Sequence, residues 1–184
     1  MLVVCYGEIQ HRHMESVGYD MYCKLLEEVI KEMQSNGEKI EDDNEEIQID
    51  IKISCYIPDD FISNHNQKIE IYQNIALCST EDDIKNITDE IIDRYGKLPK
   101  EIENLLEIAR IKRMCKENNI IKIQQRDDRI NFTLGKNYDV SKVPGLIKKY
   151  NNRIKFKDEK DKVITILMKN RDVFGEIKGF LGGF

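Results

Sequence analysis

The chain has 184 residues, 40% hydrophobic and 34% charged, with a net charge of −5. That length supplies one good core with room for an extension. The apolar runs span only a few residues, which excludes a membrane-spanning helix, and Leu2-Val3-Val4-Cys5 is far too short for a signal peptide.

The net charge hides a polarity. Residues 1–37 carry 6 acidic and 3 basic side chains, residues 38–109 carry 19 and 7, and residues 110–184 carry 9 and 19. A split of this kind constrains partners more than it constrains fold. Five cysteines, at 5, 23, 55, 78 and 115, show no close spacing. They are expected to be thiols in a reducing cytoplasm rather than a disulfide or zinc framework.

Residues 1–16 read poorly as a folded unit: the apolar start meets the polar loop Gly7-Glu8-Ile9-Gln10-His11-Arg12-His13. Such an unanchored terminus is expected to be loose. Residues 17–35 have helical spacing, with Tyr19, Tyr22, Leu26, Val29, Ile30 and Met33 recurring at steps of three and four, and Gly37 ends the segment. Residues 38–46 form an acidic linker with almost nothing to bury, the clearest boundary in the chain. From Ile47 to Ile57 apolar residues alternate with polar ones, the period of a strand or extended arm, and Pro58-Asp59-Asp60 turns the chain.

Three helices are predicted next. The first covers 66–77, with Ile69, Tyr72, Ile75 and Ala76 inward. The second covers 81–95, with Ile84, Ile87, Ile91, Ile92 and Tyr95 inward, and Thr80 and Asp83 at near capping-box spacing. The third starts at Pro99 and closes at Asn118-Asn119, with Ile102, Leu105, Leu106, Ala109, Arg113 and Met114 along one side. The last third reads as a hairpin (120–125 and 130–134), a helix over 143–150 with Ser141 as its cap, a second strand pair (153–157 and 163–167) and a final helix over 172–181. The fold class is therefore α+β: an N-terminal helix and acidic linker, then a layer of about three helices packed with a small, mainly antiparallel sheet in β-β-α-β-β-α order. The expected domains are 1–37, the linker 38–46, and 47–184.

Catalytic signatures are missing from the sequence. It has no G-x-x-x-x-G-K-[ST], G-x-G-x-x-G or G-x-S-x-G motif. A metal site at His11 and His13 with Glu8 and Cys5, or at Asp59-Asp60, is the enzyme reading. The spacing matches no strong zinc pattern, and Arg12 would oppose a cation. His65 reads as a solvated loop residue. Glu81-Asp82-Asp83 is explained by the helix N-terminus that it opens. Lys148, Lys149, Arg153, Lys155 and Lys157, with Phe132, Tyr138, Tyr150 and Phe156, are the candidates for direct DNA contact, although acidic residues interrupt them. Arg153, Lys155 and Lys157 are expected to form an outward stripe on a packed strand. Glu90 and Asp93 lie three apart on one helix face beside Arg94. The plain reading of them is a solvated face; the functional one is a docking face for an arginine-bearing protein.

Four segments stand in a telling order: Gly7-Glu8-Ile9-Gln10-His11 with Val17-Gly18-Tyr19-Asp20-Met21-Tyr22; Leu25-Leu26-Glu27-Glu28; Tyr56-Ile57-Pro58-Asp59-Asp60-Phe61-Ile62; and Asp93-Arg94-Tyr95-Gly96-Lys97-Leu98-Pro99 leading into Asn104-Leu105-Leu106-Glu107-Ile108-Ala109-Arg110. Together they resemble the C-terminal end of the bacterial transcription-repair coupling factor (Mfd) family, over about residues 7–180. The resemblance implies a large DNA translocase, using ATP and magnesium, that removes stalled RNA polymerase and recruits UvrA in nucleotide excision repair. It implies that residues 7–35 are similar to the end of the RecG-like translocation segment, with Gln10, His11 and Arg12 as a remnant translocation loop. The remainder would be a regulatory domain with no catalytic residue, metal or cofactor of its own. The resemblance further implies that Glu90, Asp93 and Arg94 dock on the N-terminal UvrA-binding module of the same polypeptide, in competition with UvrA. RNA polymerase and double-stranded DNA would be met through other domains, and no membrane is involved. Two other readings stand beside it, a DNA-binding accessory module built on the basic third and a metal-dependent enzyme.

Overall fold

A computed structural model describes residues 47–158 and 161–183. The expected 17–35 helix, the 38–46 linker, the boundary at 37, and Gln10, His11, Arg12 and His13 lie outside the described residues.

The order of elements is β1 (Gln48–Asp50), α1 (His65–Leu77), α2 (Glu81–Tyr95), α3 (Lys100–Glu117), β2 (Ile120–Arg126), β3 (Arg129–Leu134), α4 (Val143–Tyr150), β4 (Ile154–Asp158), β5 (Lys162–Leu167) and α5 (Val173–Leu181). The five strands form one sheet in the order β1-β2-β3-β5-β4. Only β1–β2 is parallel; the other three pairings are antiparallel. The expected α+β architecture is observed, with three helices ahead of the β-β-α-β-β-α run.

Alternation decides which sheet face is buried. Ile123, Ile130, Phe132, Ile164 and Ile166 are essentially inaccessible and meet the helices. Phe132 stacks on Phe180 of α5 with ring centroids 3.9 Å apart, and Tyr150 of α4 tilts against the same Phe180 at 6.0 Å. Ile102, Leu105 and Ile111 of α3 are buried along its length. This helix also contacts α1, α2, α5 and β2, so it is the central beam of the helical layer.

The extended arm departs from expectation. Period two runs from Ile47 to Ile57, yet ladder pairing stops after Asp50. Beyond that point side chains replace a neighbouring strand. The Lys52 N–H donates to Gln125 Oε1 (2.9 Å), Asn104 Nδ2 donates to the Ser54 carbonyl (2.9 Å), and the Ile57 N–H donates to the Tyr72 hydroxyl (2.8 Å). Buried backbone groups need partners, and these bonds give the buried Asn104 and Gln125 their role. The proline turn then closes with the Phe61 and Ile62 N–H groups donating to the Pro58 carbonyl.

Other differences are local. In α1, Lys68 and Ile71 are buried with Tyr72 and Ile75, whereas Ile69 and Ala76 are half-buried. Lys68 pairs with Asp59 of the proline turn. In α3, Arg113 and Met114 are half-buried, and Ile108, Ile111 and Cys115 take the inward positions. Ser141 is not a helix cap. Asp139 accepts from the Ser141 N–H and opens a 3₁₀ turn (Val140–Lys142) that runs into α4. Pro99 is the N-cap residue of α3 rather than a first-turn residue.

Candidate docking surface

α2 has firm ends. The Thr80 hydroxyl accepts from the Asp83 N–H (3.1 Å) and Asp83 accepts from the Thr80 N–H (2.8 Å), so the capping box is complete with Asp in the Glu position. The bonds from Thr80, with that from the Ser79 N–H, hold the Asp83 carboxyl below its ordinary range. Gly96, at φ 91, ends the helix with its N–H on the Ile92 carbonyl. That positive φ favours a residue without a Cβ.

Ile84, Ile87 and Ile91 bury one stripe of α2. Ile92 does not join it and is 44% exposed. Successive helical residues stand about 100° apart, so a stripe centred on Ile84, Ile87 and Ile91 turns Ile92 to its flank. The opposite side carries Asp89 and Asp93, both exposed, one turn apart. Glu90 is exposed too, and it accepts from Arg94 one turn on at 2.8 Å. Arg94 lies over the Tyr95 ring at 5.2 Å. The bond to Glu90 raises the Arg94 pKa above its ordinary value. Asp93 makes no ion pair or side-chain hydrogen bond among the described residues. The three expected docking residues are therefore together and exposed, but Arg94 acts first as the partner of Glu90.

Near this face, Asn74, Leu77, Cys78, Asp83, Asn86, Ile87 and Glu90 line a shallow depression of about 300 Å³. Leu77 is 67% exposed at its rim. Neither Leu77 nor Ile92 was an expected part of the surface. Their signal in the sequence was an apolar residue at the end or flank of an amphipathic helix, where burial fails.

The other charges on the helical layer are largely used internally. Glu81 is more than a helix-entry charge: it accepts from Arg110 of α3 at 2.7 Å. Glu107 accepts from Arg110 at 2.8 Å and from Lys178 of α5 at 2.7 Å. Burial opposes ionisation of Glu107, but Lys178 and Arg110 together hold its carboxyl below the ordinary range.

The remaining candidates separate. Among the described residues no group of three or more His, Cys, Asp or Glu side chains is placed to hold a metal. His65 is exposed at the start of α1. Burial pushes the Cys55 and Cys115 thiols up to about 12, and Cys78 is raised by burial and then by Asp83. These thiols stay protonated and unreactive. The expected basic stripe is corrected in part: Lys155 and Lys157 are exposed on one face of β4, as expected, but Arg153 and the packing of the strand differ. Arg153 is half-buried and donates to the Leu167 carbonyl (2.8 Å) and to Glu176 (3.2 Å). β4 is an edge strand with Phe156 41% exposed, not a packed one. Lys149 donates to the Gly179 carbonyl at 2.6 Å. No described helix is long and apolar enough to cross a membrane.

The described residues form a small α+β domain with an exposed acidic face on α2. The chain belongs to the TRCF domain family, whose model matches residues 51–143, and is a TRCF-domain region of a bacterial transcription-repair-coupling factor homologue. It is 34% identical over 128 residues to the transcription-repair-coupling factor of Bacillus subtilis, covering 70% of this chain and 11% of that protein. It is 32% identical over 177 residues to the factor of Rickettsia typhi, covering 95% of this chain and 16% of that one. The chain thus spans a small part of the length of these curated relatives. A crystal structure of the C-terminal domain of transcription-repair coupling factor shares the fold, with a TM-score of 0.66 and 22% identity over 75% of this chain and 89% of that one.

Proposed function

We propose that this domain is a non-catalytic regulatory module of a transcription-repair coupling ATPase and DNA translocase. It docks on the N-terminal UvrA-binding module of the same polypeptide and hides that module's surface until the motor rearranges. ATP and magnesium, RNA polymerase and movement along double-stranded DNA are then handled by other parts of the longer cytoplasmic protein.

The observation that supports this reading most is the outward face of α2. Asp93 is exposed without a partner among the described residues, and Glu90 is exposed with one intrahelical partner. An incoming arginine engages Asp93 directly and displaces Arg94 from Glu90. Exposed charge pairs are individually weak and salt-sensitive. Within one polypeptide, linkage raises the effective concentration enough to populate the closed form. A motor movement that separates the modules then shifts the population to the open form and frees the UvrA surface.

The test is calorimetry and pull-down with the matching N-terminal module, with UvrA as competitor. Glu90→Arg with Asp93→Arg is expected to weaken binding about 10-fold or more at low salt, with the circular-dichroism spectrum unchanged. UvrA is expected to displace the unaltered chain. Equal binding by the unaltered and doubly substituted chains, at both low and moderate salt, removes the proposal.

A further inference from the structure

The sheet has a second face, which no helix among the described residues covers. Strand register carries side-chain rows straight across it. Asp50, Gln124, Asn131, Thr165 and Lys155 are successive partners through β1, β2, β3, β5 and β4. Gln124 donates to Asp50 (3.0 Å) and Thr165 to Asn131 (2.8 Å), so this row lies on one side. Two residues along, Gln48, Lys122, Thr133, Val163 and Lys157 form the next row. Arg126 and Arg129 face each other at the hairpin end. A register shift between Ile120 and Lys122 sets Ile121 beside Lys122 on this same side, where both line a groove of about 560 Å³.

Five cations therefore share one surface: Lys122, Arg126, Arg129, Lys155 and Lys157. Lys122 and Lys155 make no ion pair among the described residues. Arg126 approaches Asp50 only to 3.5 Å and Arg129 approaches Asp128 to 3.7 Å, all four side chains being more than half exposed. Exposed pairs of that length exchange readily for another anion. Between the cations stand the carboxylates of Asp50 and Asp161, and the amides and hydroxyls of Gln124, Asn131, Thr133 and Thr165, which also bond phosphate oxygens. No aromatic side chain belongs to these rows. Phe132 lies on the helix side, stacked on Phe180, and Phe156 pairs with the buried Ile164. Unpaired strands are held on aromatic stacking platforms, and this face has none. Double-stranded RNA presents the same phosphates but is recognised largely through 2′-hydroxyl contacts across its minor groove, and comparing affinities for the two duplexes separates it from DNA.

We propose that the open sheet face docks the phosphate backbone of duplex DNA, without sequence preference, through Lys122, Lys155, Arg126 and their neighbours. It lies on the side of the sheet away from the helices, so it is separate from the α2 face and stands or falls independently of it.

The test is fluorescence anisotropy of a labelled 20-base-pair duplex with the whole chain. Three to five phosphate contacts predict that affinity falls roughly 40- to 500-fold between 50 and 200 mM salt. Lys122→Glu with Lys155→Glu is expected to lower affinity about 10-fold or more at low salt and to flatten the logarithmic salt slope by about two. Lys85→Glu with Lys97→Glu makes the same charge change on the helical layer and is expected to leave affinity within about 2-fold. If Lys122→Glu prevents folding, Lys155→Glu with Lys157→Glu on the exposed edge strand replaces it. No binding at 50 mM salt, equal loss in both double variants, or equal affinity for duplex RNA or for polyglutamate of matched charge overturns the proposal.

Discussion

The helical layer and the sheet carry opposite charge, and they spend it differently. In the helices many charges are turned inward to neighbouring elements: Glu81 to Arg110, and Glu107 to Arg110 and Lys178. Others stay exposed, among them Glu70, Asp82 and Lys85, and the far end of α2 gathers Asp89, Glu90 and Asp93. In the sheet the apolar face supplies the core, and the opposite face leaves Arg126 and Arg129 loosely paired and Lys155 exposed. Net charge along the chain therefore does not measure what a surface offers. The exposed remainder does, after internal pairing has been subtracted.

The sharpest break in this contrast is at the apolar seam that both regions share. Phe132→Ala removes a fully buried ring stacked on α5 and is expected to cost about 3–5 kcal/mol in urea unfolding. Helix and sheet probes should lose their signal together. Separate transitions would show that the two regions are independent units joined by charge.

A smaller effect tests to which region the arm belongs. Tyr72→Phe leaves the buried Ile57 N–H without its acceptor and is expected to cost about 1–3 kcal/mol. Hydrogen exchange should rise at Ile57 and leave β2 and β3 unchanged. A matching rise in the strands would assign the arm to the sheet.

The smallest effect concerns the inward charges. The Glu107 carboxyl is held below its ordinary range in the folded chain. Its contribution is therefore complete above the unfolded-state value of about 4.3 and is lost as pH falls through the lower folded value. Lys178→Met should reduce stability at neutral pH by less than about 1 kcal/mol, because the pair is partly exposed. It should also make the acid limb of the stability curve shallower. An unchanged acid limb would mean that this cross-helix bridge contributes nothing.

Much of this was legible in the primary structure. α2 was fixed at both ends by local chemistry, Thr80 with Asp83 at the start and Gly96 at the stop, and its boundaries follow from neighbours in sequence. The hairpin of β2 and β3 was equally local. Glu90, Asp93 and Arg94 could be found from helix spacing and from resemblance, and their exposure agrees with that spacing. The arm misled, because alternation reports burial of one face and not the identity of the hydrogen-bond partner. Gln125, Asn104 and Tyr72 lie far along the chain and supply what a strand would have supplied. The stripe at 153–157 held for Lys155 and Lys157 but misled at Arg153 for a similar reason. Arg153 precedes the strand and is drawn to Glu176 of α5, which no local pattern announces.

The sequence by itself determined most of the elements, the caps of α2, the family and the charge of each stretch, since these depend on side chains within a few residues of one another. Only the tertiary structure decided which charges remain available. Lys122, Arg126 and Arg129 stand more than twenty residues from Lys155 and Lys157, and strand register alone puts them on one face. Pairing across elements is set by where the apolar core pulls each backbone, and a charge keeps its reach only where that packing leaves it in water.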